Sequence, residues 1–368
     1  MQSLAQDGYT AEQVRAALTA SVRTFKFRYA LLNSSNVFQS WLANIISCRI
    51  ANNSLADIKR TARFTMEDSS DIDFLSDRIR PYVRLKMSDG GWAEWPQGVF
   101  LLSTPARKID SSGLITRDVE AYDQLVVLRD DLTDDRYTVT SGTNYITAVG
   151  TILTGAGITS QNLTATDKTL PTDKDWPPGT AKLKIVNELL SAINYRSLWF
   201  NESGQAMAEP YVSPSTRPAE YTYRDNQESV IFPEVEETLD LFSIPNKWVL
   251  VVSEPDREPL TASYTNDSPS SPTSTVGRGR TITDFRQVDA ADQDSLDDRA
   301  ERLAFEASQV YQSVELDTGI MPMHSNGDVL ELQFSALGIA HKYSEQSWEM
   351  ELKAGGKMSH RVRRVITI

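Results

Sequence analysis

Phe25-Lys26-Phe27-Arg28-Tyr29 alternates aromatic and basic side chains with a period of two, so one face of the stretch suits a core and the other suits water. A half-buried β-strand is the reading. The residues before it follow another rule: Val14, Ala17, Leu18 and Val22 recur at helical spacing, and Thr10 with Gln13 makes a capping-box pattern, so a short amphipathic helix is predicted ahead of the strand. After it, strand-like stretches at 45–50, 62–66, 82–87, 98–103 and 114–121 are separated by polar turns such as Ser88-Asp89-Gly90-Gly91 and Asp110-Ser111-Ser112-Gly113. Short strands with turns between them predict a barrel or sandwich. Trp92, Trp95 and Pro96 read as packing over the end of a barrel, with an exposed binding patch as the alternative.

From about Tyr137 the period changes. Tyr145, Ile146, Val149, Ile152 and Leu153 share a helical face that stops at Gly155 and Gly157, and Leu183, Val186, Leu189, Leu190 and Ile193 share another after Thr180. A Thr-, Asp- and Pro-rich loop at 164–179 lies between them, and a hairpin of 197–200 and 205–208 turns at Ser203-Gly204, which together make a small mixed α/β insertion. The last third returns to strands at 248–253, 281–285, 313–316, 328–334, 348–352 and 361–368, with a polar loop at 267–279. It also holds a helix starting near Ser295, with Ser295 and Asp298 as capping pair and Leu296, Ala300, Leu303, Ala304, Ala307, Val310 and Tyr311 on one face. The order is β-rich, α/β, β-rich, with expected domains 1–135, 136–225 and 226–368.

At 368 residues the chain is long enough for two or three domains, since single cores stop growing near ~250–300 residues. Apolar runs such as 248–252 fall far short of the ~20 residues of a membrane-spanning helix, and the opening MQSLAQDGYT lacks the basic and apolar regions of a signal peptide. Folding in a cytoplasm, without membrane insertion by this chain, is expected. One cysteine, Cys48, excludes an intrachain disulfide and a multi-cysteine zinc site, and reads as a small packed strand residue. A formal net charge of -13 argues against a nucleic-acid binder, whose affinity comes from clustered Lys and Arg.

The usual catalytic patterns are missing: no Gly-x-Ser-x-Gly elbow, no His-Glu-x-x-His, no phosphate-binding Gly-x-x-x-x-Gly-Lys-Ser loop and no Gly-x-Gly-x-x-Gly. His324, His341 and His360 read as surface or strand residues with no companion at metal-ligand spacing. Asp130-Asp131 and Asp134-Asp135 read as a solvated loop and not as a hydrolytic carboxylate pair. Gly277-Arg278-Gly279-Arg280 reads as a turn into a strand in preference to an anion cradle. Lys357, Arg361, Arg363 and Arg364 face an acidic stretch at 228–301, either as contacts between copies or as simple alternation along a last strand. No catalytic, cofactor-binding or metal residue is assigned, no cofactor is expected, and the chain is not read as an enzyme.

Several segments in order resemble one known family. Ile244-Pro245-Asn246-Lys247-Trp248-Val249-Leu250-Val251 opens the series, followed by the helix at 295–311, a strand ending in Thr318, Asn326-Gly327-Asp328-Val329, a strand at 343–352 and Gly355-Gly356-Lys357-Met358. The first half adds Asp57-Ile58-Lys59-Arg60-Thr61-Ala62, Asp77-Arg78-Ile79-Arg80-Pro81, Gly98-Val99-Phe100-Leu101-Leu102 and Ala121-Tyr122-Asp123-Gln124-Leu125. Together they are similar to the hub proteins of phage tail tips and baseplates, also found in contractile injection machines.

The resemblance implies a mixed, β-rich α+β fold with two antiparallel, barrel-like tube domains separated by a small α/β domain. It also implies a homotrimer, a virion component assembled in the host cytoplasm, whose six barrels form a pseudo-sixfold ring. Such a ring joins the tail tube or distal tail protein to a central spike or fibre, near the tape measure protein, and DNA passes through its lumen during ejection and host entry without specific binding. An acidic wall suits that passage. Lytic activity is then expected from another protein. The alternatives are a receptor- or glycan-binding tail-tip protein, with Trp92, Trp95 and the 267–279 loop as contacts, and a cell-wall hydrolase.

Overall fold

The capping box at Thr10 forms as its residues predict. In the computed structural model Thr10 Oγ1 accepts from Gln13 N and Gln13 Oε1 accepts from Thr10 N, opening α1 (Ala11–Thr19), which buries Val14 and Leu18. Val22 lies beyond the helix and is exposed. The structure describes residues 1–69, 71–103, 106–109, 111–239, 244–253, 257–269, 271–308 and 312–365. Among the sequence expectations, Asp110, Val310, Tyr311 and 366–368 lie outside the described residues.

Nine strands follow: β1 (Phe25–Leu32), β2 (Phe38–Leu42), β3 (Ile45–Asn53), β4 (Arg60–Glu67), β5 (Arg78–Lys86), β6 (Trp92–Pro96), β7 (Phe100–Leu102), β8 (Arg107–Ile109) and β9 (Ile115–Tyr122). β4 and β5 alternate buried and less buried residues along their length, the pattern of a sheet with one face on a core. β6 pairs with β5 and sends Trp95 fully into that core, where its Nε1 donates to Ser3 O at 3.0 Å.

The α/β segment comprises α2 (Leu125–Asp130), β10 (Tyr137–Val139), α3 (Tyr145–Gly155), β11 (Gln161–Leu163), β12 (Lys174–Trp176), α4 (Lys182–Ala192), β13 (Trp199–Phe200) and β14 (Ala206–Ala208). Asn144 caps α3 by accepting from Ile146 N and Thr147 N, and the apolar faces of α3 and α4 meet in a core of their own that includes Val149, Leu153, Val186 and Leu190. The β13–β14 hairpin tip leans on the first strands. Gly204 has φ 80°, and a Cβ there would lie 2.6 Å from Val99 Cγ2, so glycine permits both the turn and the approach.

The remaining elements are β15 (Tyr221–Arg224), β16 (Ile231–Leu239), β17 (Lys247–Val252), β18 (Leu260–Thr265), α5 (Thr275–Arg278), β19 (Thr283–Gln287), α6 (Gln293–Ser308), β20 (Gln312–Gly319), β21 (Val329–Phe334), β22 (Ile339–Glu351) and β23 (Lys357–Arg364). The α6 cap corrects the sequence reading. The helix starts earlier than Ser295, and Asp292 Oδ1 accepts from Ser295 N at 2.8 Å in place of a Ser295–Asp298 pair. β17, β18 and β19 form a separate three-stranded sheet on which α6 packs through Leu296 and Ala300.

One large sheet joins the two ends of the chain, in the order β16-β20-β23-β22-β3-β4-β9-β7-β5-β1-β2 with β6, β8, β15 and β21 as branches. Its hinge is β22, which pairs with β21 through Val329↔Ser344 to Phe334↔Ile339 and then with β3 through Ser347↔Asn53 to Glu351↔Arg49. A single core runs under it from Val14 to Val362. The mixed, β-rich fold class expected from the sequence is the one observed. Among the described residues the sheet path is open at both ends, and no helix is long and apolar enough to cross a membrane.

Candidate functional site

Two strands end the large sheet and leave an edge unpaired among the described residues. β2, paired with β1, exposes Phe38 and Trp41 at 49% and 45%. The Trp41 ring packs against Phe38 and Tyr82, and the Arg28 guanidinium stands 4.0 Å from its centroid, a cation–π contact. β16, paired with β20, carries Glu234, Glu236 and Glu237, and its register shifts between Ile231 and Val235 around Pro233. Proline and a bulge are devices that edge strands tolerate. One edge is thus aromatic with an arginine over its ring, and the other is acidic.

Between the two halves lies a buried polar junction. Glu345, on β22, accepts from His324 Nδ1 at 2.7 Å with one carboxylate oxygen and from His360 Nδ1 at 2.6 Å with the other. Tyr223 Oη lies 2.6 Å from His324 Nε2, and Thr318 Oγ1 lies 2.9 Å from His360 Nε2, so both ring nitrogens of each histidine are engaged. All five residues are fully buried or nearly so. Their placement follows from local structure. The register of β22 against β23 shifts between Glu345 and Ser347, and the Asn326-Gly327-Asp328 turn, with Gly327 at φ 71°, lets Asp328 Oδ2 accept from Ser325 N and approach His324 Nδ1 at 3.3 Å. The Met1 ammonium pairs with Asp328 Oδ1 at 2.6 Å.

Burial alone would lower the His324 pKa. The charge of Glu345 and hydrogen bonds to Asp328 and Glu345 outweigh it and push His324 up to about 9. Burial likewise opposes ionisation of Glu345 and Asp328, yet His324 holds both below the usual carboxylate range. His360 goes the other way: burial lowers it and the bond to Glu345 only partly offsets this. The group is therefore charged and compensated inside the core, which makes its hydrogen bonds strong and their loss costly.

A second arm reaches the α/β segment. Arg60, on β4 and almost wholly buried, donates to Glu202 Oε1 at 2.5 Å and to Gln97 O at 3.1 Å, while its amide donates to Asp123 Oδ2 at 2.9 Å. Ser325 Oγ donates to the same Glu202 oxygen at 2.6 Å, and Trp348 Nε1 donates to Ser325 O at 2.8 Å. First strands, insertion and last strands are bonded through one carboxylate.

The structure corrects the sequence reading of two histidines in part: His360 is a strand residue, on β23, but neither ring lies at the surface. His324 and His360 are neither surface residues nor without a companion; they meet at Glu345 because strand pairing brings distant residues together. Potential ligand atoms of His324, Glu345 and His360 lie within 4.8 Å of one another, but each histidine Nδ1 is bonded to Glu345 and each Nε2 to a hydroxyl. The set could hold an ion only by breaking those bonds. His341 is partly buried beside Arg364.

Other candidates fall where their bland readings put them. Trp92 is half-buried under Lys26 and Arg84, so with Trp95 buried there is no exposed tryptophan pair. Asp130 pairs with Arg129 and Asp131 with Lys182, while Asp134 and Asp135 are exposed. Within the 267–279 loop, Ser271 Oγ and Thr273 Oγ1 accept from Asn266 Nδ2, and Gly279 closes α5 at φ 63°. Lys357 and Arg361 pair with Asp317 and Glu315 on β20, within the chain. Cys48 is buried and free.

No protein-family model and no curated protein sequence matches the chain. Solved structures do. A tail protein from Neisseria meningitidis aligns at 12% identity over 92% of this chain and 96% of its own, with a TM-score of 0.66. A 43 kDa prophage tail protein from Shewanella oneidensis aligns at 11% identity over 92% and 98%, with a TM-score of 0.61. An Escherichia coli component of the type VI secretion system, itself described as similar to phage T4 tail proteins, aligns at 8% identity over 93% and 76%, with a TM-score of 0.51. Over about nine-tenths of its length this chain shares its fold with phage tail proteins and with a type VI secretion component.

Proposed function

We propose that the protein is a non-enzymatic hub of a phage tail tip or baseplate. Three copies close into a pseudo-sixfold ring that connects the tail tube to a central spike or fibre and lines the DNA channel. The observation that carries this reading is the end-to-end likeness to tail proteins, which spans nearly the whole of both chains in two cases. The domain division 1–135, 136–225 and 226–368 belongs to the proposal, with the first and last parts as tube domains. So does the set of neighbours: tail tube or distal tail protein, tape measure protein, and spike or fibre.

The open edges support ring closure. An unpaired strand edge is an invitation to pair with another chain, and a head-to-tail contact between unlike edges generates a ring when its rotation closes. The aromatic edge with Arg28 and the glutamate-bearing edge are suitably unlike. A formal charge of -13 on each copy would repel DNA from the lumen.

Light scattering coupled to size-exclusion chromatography tests the reading. A mass near three times the 41.1 kDa chain, stable on dilution, is the expected result. A monomer that persists to high concentration would count against self-closure and move a receptor-binding role ahead.

A further inference from the structure

Where the β3–β4 turn, the α/β segment, α6 and β23 meet, they line a cavity of about 300 Å³, partly open to solvent, whose walls include Lys59, Arg196, Arg217, Arg302 and Arg363. This is an unusual concentration of cations in a chain of net charge -13. Three of the five are compensated: Arg196 pairs with Glu209, Arg217 with Glu220 and Arg302 with Glu306. The other two are not. Arg363 makes no ion pair among the described residues, and its β23 neighbours Arg361 and Arg364 have partners elsewhere. Lys59, 7% exposed, donates to the carbonyls of Ser54 and Ala56, which uses two of its three N–H groups, and it too has no ion pair among the described residues.

The acidic groups of the cavity do not make up the difference. Glu306 serves Arg302, and both oxygens of Glu345 are taken by histidines. Tyr211, on the same wall, has a buried hydroxyl beside Ser213, while Arg302 stacks on its ring at 4.3 Å. Arg363, half-buried and without an ion pair, and the spare N–H of the buried Lys59 line the same pocket, and one anionic occupant would engage both. Burial lowers Lys59 to about 8, with Asp57 and Asp123 pulling it up and Arg196 and Arg302 pushing it further down.

We propose that this cavity binds a small oxyanion of the phosphate or carboxylate class, held by Arg363, Lys59 and the Tyr211 hydroxyl and backed by Arg196 and Arg302. The ligand bridges four segments distant in sequence, so it locks the junction of insertion and sheet. Guanidinium and ammonium donors from different directions suit a multidentate oxyanion better than chloride.

The test is calorimetric titration of the full chain with inorganic phosphate and, separately, citrate, in chloride buffer at constant ionic strength, with thermal unfolding in parallel. Saturable one-to-one binding of either, with a rise in Tm, is expected. A preference for phosphate assigns the site to phosphoryl groups and a preference for citrate to carboxylates; both uphold it. Arg363→Gln should weaken binding about tenfold or more. Tyr211→Phe keeps the ring on Arg302 and should weaken it several-fold. Failure of both anions to bind the folded chain, or binding that neither variant weakens, would overturn the proposal.

Discussion

Glu345 places one oxygen on each of two imidazoles, and its charge is what keeps His324 protonated. The sign of the pH dependence follows. His324 has a folded pKa of about 9, above its ordinary 6.5, so its contribution to stability is complete below about 6.5 and is lost as pH rises toward 9. Glu345 and Asp328 are depressed, so theirs is present above the ordinary carboxylate range and lost as pH falls. Asp123, pushed up to about 6 by burial, holds a proton in the folded chain that the unfolded chain releases earlier, so stability falls as pH rises from about 3.8 through 6 and stays lower above it. Urea unfolding across pH should therefore show a maximum on the acid side of neutrality and a decline between pH 6.5 and 9. Glu345→Gln should cost about 3–5 kcal/mol and shrink that alkaline decline, because it leaves His324 only Asp328 to raise its pKa. A variant that kept the full decline would remove Glu345 from this role. None of this was legible in the sequence, since Tyr223, His324, Glu345 and His360 share no local spacing. The signals that were legible have structural work: Asn246, from the Pro-Asn segment, is fully buried, its Oδ1 accepting from Ile282 N and its Nδ2 donating to Arg280 O, and Arg60 is the buried arginine of the junction.

Among the elements, those with a strong period were read correctly and those without one were not. α1, α3 and α4 each present one apolar face, and β4 and β5 alternate, so pattern and structure agree. β2 was invisible because it has little buried face to impose a period: Phe38, Gln39, Ser40 and Trp41 are all exposed. From its pattern β22 was read at 348–352 and only the resemblance carried it back to 343, since the run Tyr343, Ser344, Glu345 is buried throughout and the register shift beside it breaks the alternation. The six-residue α2 is too short to show an apolar period. β2 also carries the sharpest assembly test. Trp41→Glu puts a carboxylate on the aromatic edge, opposite the glutamates of β16 in a head-to-tail ring, and should reduce the assembly to monomers. Its effect on chain stability should stay within about 1 kcal/mol, because Trp41 is exposed and loses chiefly a surface cation–π contact. Scattering mass and urea midpoint measured together check both halves, and an intact trimer of Trp41→Glu would rule this edge out of the interface.

For the whole molecule, the β-rich, mixed class was legible from short strands, turns and a helical interval. That the two β-rich ends form one sheet was not. β22 meets β3 across 300 residues, with Arg49 bonded to Glu349 and Glu351, and no pattern within a window of sequence can register such a pairing. The pairing sets an order of events during synthesis. As the chain leaves the ribosome at ~5–20 residues per second, the free edge of β3 waits roughly 15–60 s for β22 to emerge. Through that interval an apolar, half-paired sheet stands open to every other nascent chain making the same protein. A cell producing many copies at once therefore holds a transient pool of β3 edges, each open to pairing with the wrong chain until its own β22 arrives.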